Sequence, residues 1–90
     1  MKTYLKINKF AVKFIPELDE LNQHCILVMS INTTPMQYLI TNEDTYTLLK
    51  FINDNTPTMS ELLDHFDISE ENTLVIQNFI DMGIIDKISE

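Results

Sequence analysis

The sequence predicts an α+β domain in which a three-stranded antiparallel sheet is followed by three helices. In the first forty residues, apolar and β-branched residues form short runs that end at proline or at Asn-Thr turn chemistry, a pattern typical of strands. From Asn42 onward, apolar residues recur at spacings of three and four, which is typical of amphipathic helices. Strands grouped before helices indicate a small sheet covered on one face by the helices.

Three segments of the N-terminal half are predicted as strands. Residues 9–15 mix polar and apolar positions and end at a proline, which cannot donate to a strand ladder, and the polar residues 17–23 should form a loop. Residues 25–31 form an apolar run that is too short for a stable helix. Residues 36–40 follow after the turn residues 32–35, so the last two strands should form a hairpin with a four-residue connection.

Two capped helices are predicted next. The face that the first helix turns to the core consists of Thr45, Leu48, Leu49 and Ile52. Thr41 or Asn42 can cap its start. Thr58 and Glu61 have the spacing of a capping box, in which each side chain accepts a hydrogen bond from the backbone N–H of the other residue, and they mark the start of the second helix.

A third helix is predicted over residues 70–82, and Gly83 supplies the left-handed residue that ends it. Residues 84–88 return to a strand-like pattern that suits a short edge strand. The last two helices and this final segment have the outline of a winged helix-turn-helix. The predicted fold is therefore α+β and winged helix-turn-helix-like.

Length and composition predict a single domain over residues 1–90, because 90 residues can build one small core. The only glycine is Gly83, which excludes a Gly-rich phosphate loop. Cys25 is the only cysteine, and the apolar residues after it favour a reduced, buried thiol, which points to the cytoplasm. No apolar run has the length of a signal peptide or a membrane span, so neither secretion nor a membrane partner is expected.

Charge is divided unevenly along the chain. Residues 1–13 hold four of the six lysines and no acid, whereas residues 14–90 hold two lysines and all fourteen acids, so the formal charge of −8 combines +4 with −12. The chain has no arginine, the residue that most often makes bidentate contacts to phosphate and guanine. No nucleic-acid partner is therefore expected.

The sequence contains no arrangement typical of a catalytic or metal site, so neither an enzyme activity nor a cofactor is expected. His24 and Cys25 are adjacent and point to opposite sides of a strand, which does not suit a Cys-His nucleophile pair. A zinc site built from these two residues with Asp64 and His65 lacks the paired spacing of structural zinc sites. Acidic pairs at the predicted helix starts are explained by the helix macrodipole.

The order and spacing of these elements resemble the PqqD-like precursor-recognition domains of RiPP biosynthesis, which serve ribosomally synthesised and post-translationally modified peptides. The resemblance runs from about Phe10 to Ile85, nearly the whole chain. Its segments are residues 36–42 for the strand entering the first helix, 45–52 for that helix, 57–63 for the second helix and 75–85 for the third helix and its exit. No single motif is specific, so the resemblance depends on order and spacing together.

The resemblance implies a cytosolic, non-catalytic domain that binds the leader segment of a precursor peptide and presents it to a tailoring enzyme. In that family the leader adds as an extra strand beside the third strand, with its apolar side chains against the third helix. Carried onto this sequence, the peptide-binding residues are Met36, Gln37, Tyr38, Leu39, Ile40, Leu74, Gln77, Asn78 and Asp81. The family often has a basic cleft for an acidic leader, but this chain has only Lys50 and Lys87 after Lys13. A neutral leader, a basic leader or one held by apolar anchors is expected here.

Two alternatives stay open at this stage. The four residues of the third helix in this set form a mixed polar and apolar stripe, which suits a peptide-facing wall and equally suits simple solvent exposure. Even-numbered residues of the third strand share one face and odd-numbered residues share the other. The pattern does not decide which face is the core.

We expect no binding of duplex DNA at physiological salt, because the predicted third helix carries three acids and no base and the chain lacks arginine. A mobility-shift titration up to micromolar protein should show only free DNA. A shifted band that disappears with added salt would instead support the alternative function, the winged-helix domain of a transcription regulator.

Overall fold

The computed structural model describes residues 2–15 and 25–89, and within them it is an α+β fold with a three-stranded antiparallel sheet and three helices. Its elements are β1 (Thr3–Ile7), β2 (Val12–Phe14), β3 (Ile26–Ile31), β4 (Thr34–Ile40), α1 (Glu43–Asn55), α2 (Met59–Phe66), a 3-10 turn (Glu70–Asn72), α3 (Leu74–Asp81) and β5 (Ile85–Ser89). The loop expected over residues 17–23 lies outside the described residues.

The strands form two sheets. The larger sheet has the order β2–β3–β4, with β3 in the centre, and β1 pairs with β5 in a separate two-stranded antiparallel sheet. The predicted order, in which three strands come before three helices and residues 84–88 form a short edge strand, is therefore right only in part. It missed β1, in which Leu5 and Ile7 are buried while Lys6 between them is exposed. This alternation of buried and exposed residues over positions 5–7 is a strand pattern.

The first predicted strand, residues 9–15, is shorter in the structure. Its pairing covers only Val12–Phe14, because a turn precedes β2. The backbone N–H of Ala11 donates to the carbonyl of Asn8, and the Asn8 side chain accepts a hydrogen bond from the Phe10 N–H. Asparagine commonly bonds the backbone two residues on, and here that bond closes the turn that separates β1 from β2.

The connection between β3 and β4 has two residues instead of the predicted four. Asn32 and Thr33 have φ values of 49° and 67°, and Thr34 and Pro35 already belong to β4. Two successive residues with positive φ are typical of a type I′ turn, whose twist matches that of the two strands. The predicted hairpin is confirmed with a tighter turn.

Both predicted caps are confirmed. Asn42 caps α1, its side-chain oxygen accepting a hydrogen bond from the Thr45 N–H at 3.0 Å. In the capping box of α2, the Glu61 N–H donates to the Thr58 hydroxyl at 3.2 Å and the Thr58 N–H donates to the Glu61 carboxylate at 3.1 Å. The hydrogen bond from the Thr58 N–H, followed by that from its hydroxyl, lowers the pKa of Glu61 below its ordinary value of 4.5.

The third helix is shorter than predicted. Residues 70–82 divide into the 3-10 turn Glu70–Asn72 and α3, which begins at Leu74. The Asn72 N–H donates to the carbonyl of Ser69 at 2.9 Å, which closes the turn before the helix. A bond from one residue to the third before it is the pattern of a 3-10 helix, which is common at the ends of α-helices. Gly83 has a φ of 83° and ends the helix as predicted.

The core is built from every helix and from four of the five strands. Its largest fully buried side chains are Leu5, Ile7, Ile26, Val28, Leu49, Ile52, Leu62, Ile76, Ile84 and Ile85. Of β4, only Ile40 packs against this core, and it does so partly buried. Cys25 is buried, as predicted. None of the described helices combines the length and apolarity of a membrane span.

Thr33 is a β-branched residue in left-handed backbone, which costs roughly 1–2 kcal/mol relative to glycine. We expect Thr33→Gly to raise the free energy of unfolding by about 0.5–1 kcal/mol. The gain is smaller than the strain that is removed, because glycine also adds conformational entropy to the unfolded chain. Urea denaturation of both proteins measures the change. The control is Thr34→Gly, one residue along in β4, which should lower stability; a loss of stability in Thr33→Gly would contradict the turn geometry.

Candidate functional site

The strand β4 lies at an outer edge of the sheet, and this edge carries no charged residue. Six of its seven residues are exposed. Met36 and Tyr38 are each 38% exposed, and Leu39 is 51% exposed. Outer strands are usually protected by charge, by proline or by a covering element, because an open ladder pairs readily with other chains. Among the residues that the structure describes, only Pro35, near the start of β4, has that effect.

The register of β3 and β4 shows which face of β4 is turned to the core. Ile40 pairs with Ile26 and Tyr38 pairs with Val28, and both β3 partners are fully buried. Directly opposed residues share a face, so Tyr38 and Ile40 lie on the core face. Leu39 lies on the other face. Tyr38 lies on this face but stays exposed and does not pack against the core, so its side chain is open at the edge of the sheet.

The same register shows which backbone groups of β4 point outward. The Met29 N–H donates to the carbonyl of Ala11, and the Cys25 carbonyl accepts a hydrogen bond from the Ile15 N–H. The backbone groups of Cys25 and Met29 therefore point toward β2. Backbone groups alternate sides along a strand, which turns those of Ile26 and Val28 toward β4. The backbone groups of their partners Tyr38 and Ile40 point back toward β3. Leu39 lies between these two residues, so its N–H and carbonyl face the open edge.

The helix α3 turns one apolar side outward. Ile76 is buried, whereas Leu74 is 66% and Val75 is 55% exposed. Of the predicted polar residues, Asn78 is exposed, and the half-buried Gln77 donates from its amide to the Asp81 carboxylate at 2.9 Å. The expected stripe is therefore accessible to a ligand, and Val75 extends it. The predicted stripe did not include Val75, because it was built on the spacings of three, four and seven counted from Leu74.

Two observations, one at each end of β4, show that β4 and α3 extend over the same part of the molecule. At one end, the N–H of Asn32 in the β3–β4 turn donates to the carbonyl of Met82, just after α3, at 3.0 Å. At the other end, Asp44 in the first turn of α1 lines one cavity together with Val75 near the start of α3. The two elements therefore run in opposite directions. Within the described residues, their backbones are not closely packed.

That cavity has a volume of about 490 Å³ and lies where α1, the end of α2 and the start of α3 meet. It is lined by Asp44, Thr45, Thr47, Leu48, Phe66, Asp67, Ile68, Asn72, Val75 and Ile76. Its volume lies within the range of ordinary ligand pockets, roughly 300–1,000 Å³. Asp44 follows the last residue of β4 by only four positions, so a strand added beside β4 would reach the cavity within a few residues.

The sequence analysis did not predict this cavity. Leu48 was assigned to the core face of α1, and it does pack against the core while also lining the cavity. Phe66 is the last residue of α2, and Asp67 and Ile68 follow it; no functional pattern was recognised in these three residues. Only the meeting of three helix ends in space brings these residues together, and no periodicity within one element encodes it.

Two described residues of types that can act as nucleophiles or bind metals, His65 and Cys25, take part in the packing of the protein. The ring of His65 stacks on that of Phe51, with 4.1 Å between ring centroids, and Cys25 is buried. In the described ranges, no group of three or more His, Cys, Asp or Glu side chains could hold a metal ion. His24, which belongs to the zinc alternative, lies outside those ranges.

Comparisons with known proteins found no match to this chain among family models, curated proteins or solved structures.

We expect Leu74→Ala to change the free energy of unfolding by less than about 0.5 kcal/mol, since two thirds of the side chain is exposed. Ile76→Ala, two residues along the same helix, should cost roughly 2–5 kcal/mol because it leaves a cavity in the core. Thermal or urea denaturation of the two variants provides the comparison. Equal losses in both would place Leu74 in the core and remove it from the candidate site.

Proposed function

We propose that this chain binds the leader segment of a ribosomally synthesised precursor peptide by strand addition along β4, and that it presents the peptide to a separate tailoring enzyme. It does so as a non-catalytic, cytoplasmic domain whose helices and terminal sheet form a winged helix-turn-helix-like unit. The single observation that carries the proposal is the uncharged outer edge of β4, with Leu39 turning its backbone N–H and carbonyl outward.

Backbone pairing supplies the affinity in this mechanism. An incoming extended peptide exchanges hydrogen bonds with Leu39 and continues the order β2–β3–β4 by one strand. Each such bond contributes about 0.5–1.5 kcal/mol net, and the contribution does not depend on the peptide's side chains. The absence of charge from β4 favours this pairing, because no hydrated lysine or carboxylate has to be displaced.

Side-chain contacts supply the selectivity. In an added strand, alternate residues point to opposite faces, so one set would face α3 while the other faces solvent. The set that faces α3 would meet the exposed side chains of Leu74 and Val75, together with the open side of Tyr38. Exposed apolar side chains of this size favour aliphatic or aromatic partners. The peptide is therefore expected to carry large apolar residues two positions apart.

The resemblance to PqqD-like domains supports the leader peptide as ligand, since in that family the third strand of the sheet and the third helix form the leader site. In this chain those elements are β4 and α3. Binding of a leader leaves the modified part of the precursor free, which is why the chemistry is assigned to a partner enzyme.

We expect Leu39→Pro to weaken peptide binding about tenfold or more, because proline removes the outward N–H and its ring blocks the added strand. Proline is tolerated at an outer strand when its nitrogen faces away from the sheet, so the fold should persist. The ligands are peptides selected from a random 12-residue display library, and fluorescence anisotropy of labelled copies measures their affinity.

Leu39→Ala is the matched control, since it removes the same side chain and keeps the N–H. It should bind more tightly than Leu39→Pro. Equal affinity of the two variants, with both proteins folded by circular dichroism, would show that the Leu39 N–H takes no part in binding. Amide chemical-shift changes centred on α1 instead of residues 36–40 and 74–81 would also contradict strand addition.

A further inference from the structure

We propose that the cavity between α1, α2 and α3 makes this site selective for a cationic peptide: a large apolar side chain enters the cavity, and a lysine or arginine within two residues of it pairs with Asp44 and Asp67. The inference rests on the proposed function, because the same added strand that pairs with β4 continues into the cavity.

The floor of the cavity supports an apolar anchor. Leu48 and Ile76 are partly and fully buried core residues, and Phe66 and Ile68 are partly buried beside them. Val75, on the wall, is 55% exposed. Filling this space with an aliphatic or aromatic side chain would remove apolar surface from water on both partners, which is the main favourable contribution to such contacts.

The rim supports a positive charge. Both ionisable residues that line the cavity are acids, Asp44 from the first turn of α1 and Asp67 from the end of α2, and both are exposed. No lysine or histidine of the described ranges lines it. A basic side chain placed between two carboxylates would be attracted to both, whereas an acidic side chain would be repelled.

Asp44 alone would not indicate a ligand, since an acid in the first turn of α1 is stabilised by the helix macrodipole. Asp67 is different. It follows the last residue of α2, where the macrodipole disfavours a negative charge, and its backbone is left-handed with a φ of 52°. Asparagine or glycine would fit that position better for stability. Conflicts between local stability and residue choice are expected where a residue serves binding.

The charge of the cavity is also opposite to that of the basic cleft that is frequent in PqqD-like domains. Lys6 lies in β1, Lys9 in the turn after it and Lys13 in β2, whereas Lys2 precedes β1. None of these four lysines lines the cavity. The lining of the cavity therefore carries two acids and no lysine. Charge complementarity at an apolar groove favours a basic segment over an acidic one.

The test compares peptides selected from the same 12-residue library on four proteins: the unaltered chain, Asp44→Asn, Asp67→Asn and Glu43→Gln. Glu43 is the matched control, because it belongs to the same first turn as Asp44 and changes the net charge equally but does not line the cavity. Labelled copies of the selected peptides, and copies with every Lys or Arg replaced by Glu, are then titrated by fluorescence anisotropy.

Selected peptides should combine a large apolar residue with Lys or Arg within two positions, and the charge-reversed copies should bind at least tenfold more weakly. Asp67→Asn and Asp44→Asn should each weaken binding of the basic peptides two- to fivefold, while Glu43→Gln changes it less than twofold. Asp67→Asn should also melt no lower than the unaltered protein, which separates lost binding from lost folding.

Three results would overturn the inference. If peptides bind through the Leu39 N–H but show no preference for basic residues, the cationic selectivity is wrong and strand addition stands. If Glu43→Gln weakens binding as much as Asp67→Asn, the preference comes from the overall negative charge and not from the cavity. If no peptide binds in a Leu39-dependent way, strand addition and the cavity assignment both fail.

Discussion

The pairing of β3 with two neighbours is the constraint on which the rest of this structure depends. Because β3 is central, its backbone groups alternate between β2 and β4, and its buried side chains lie on one face. This alternation turns Tyr38 and Ile40 toward the core and leaves the backbone groups of Leu39 at the open edge. A shift of one residue would exchange the two faces and turn Leu39 toward the core in place of Tyr38 and Ile40.

Within the described ranges, the core is closed mainly by elements other than β4. The backbone N–H of Leu5 in β1 donates to the carbonyl of Pro57 at 2.7 Å, which joins the terminal sheet to the connection between α1 and α2. The Asn8 N–H donates to the carbonyl of Ile84, and the Asn8 amide donates to that of Gly83. These bonds hold the chain ends and the exit of α3 together. Of β4, only the side chain of Ile40 packs against this core, and the rest of the strand is held by its pairing with β3.

Local patterns in the sequence were sufficient to predict that three helices and a hairpin form, but not where the third helix begins or how long the hairpin turn is. Thr58 and Glu61 mark a cap by their spacing, and Gly83 marks a helix end by its conformational freedom, so both could be predicted from neighbours along the chain. The strand β1 could not, because it is stable only in combination with β5, more than seventy residues away. A strand of five residues without its partner has too weak a pattern to be distinguished from a polar N-terminal segment.

The candidate site likewise has a part that the sequence predicts and a part that only the structure shows. The uncharged strand and the mixed stripe of the third helix are visible in the sequence, since each lies within one element. The outward direction of the Leu39 N–H required the register with β3, and the cavity required three helix ends to meet. Asp67 shows the difference most clearly, because a single acid after a helix has no recognisable pattern until its neighbours across the cavity are known.

Hydrogen exchange at the Leu39 amide tests the central claim most directly, since it reports on the one donor that strand addition must use. In the free protein this amide should exchange close to the rate of an unprotected amide, whereas the neighbouring Tyr38 amide, turned toward β3, should exchange far more slowly. Saturation with a library-selected peptide should slow exchange at Leu39 at least tenfold and leave Tyr38 nearly unchanged. An exchange rate at Leu39 that stays the same while the peptide is bound would contradict strand addition along β4.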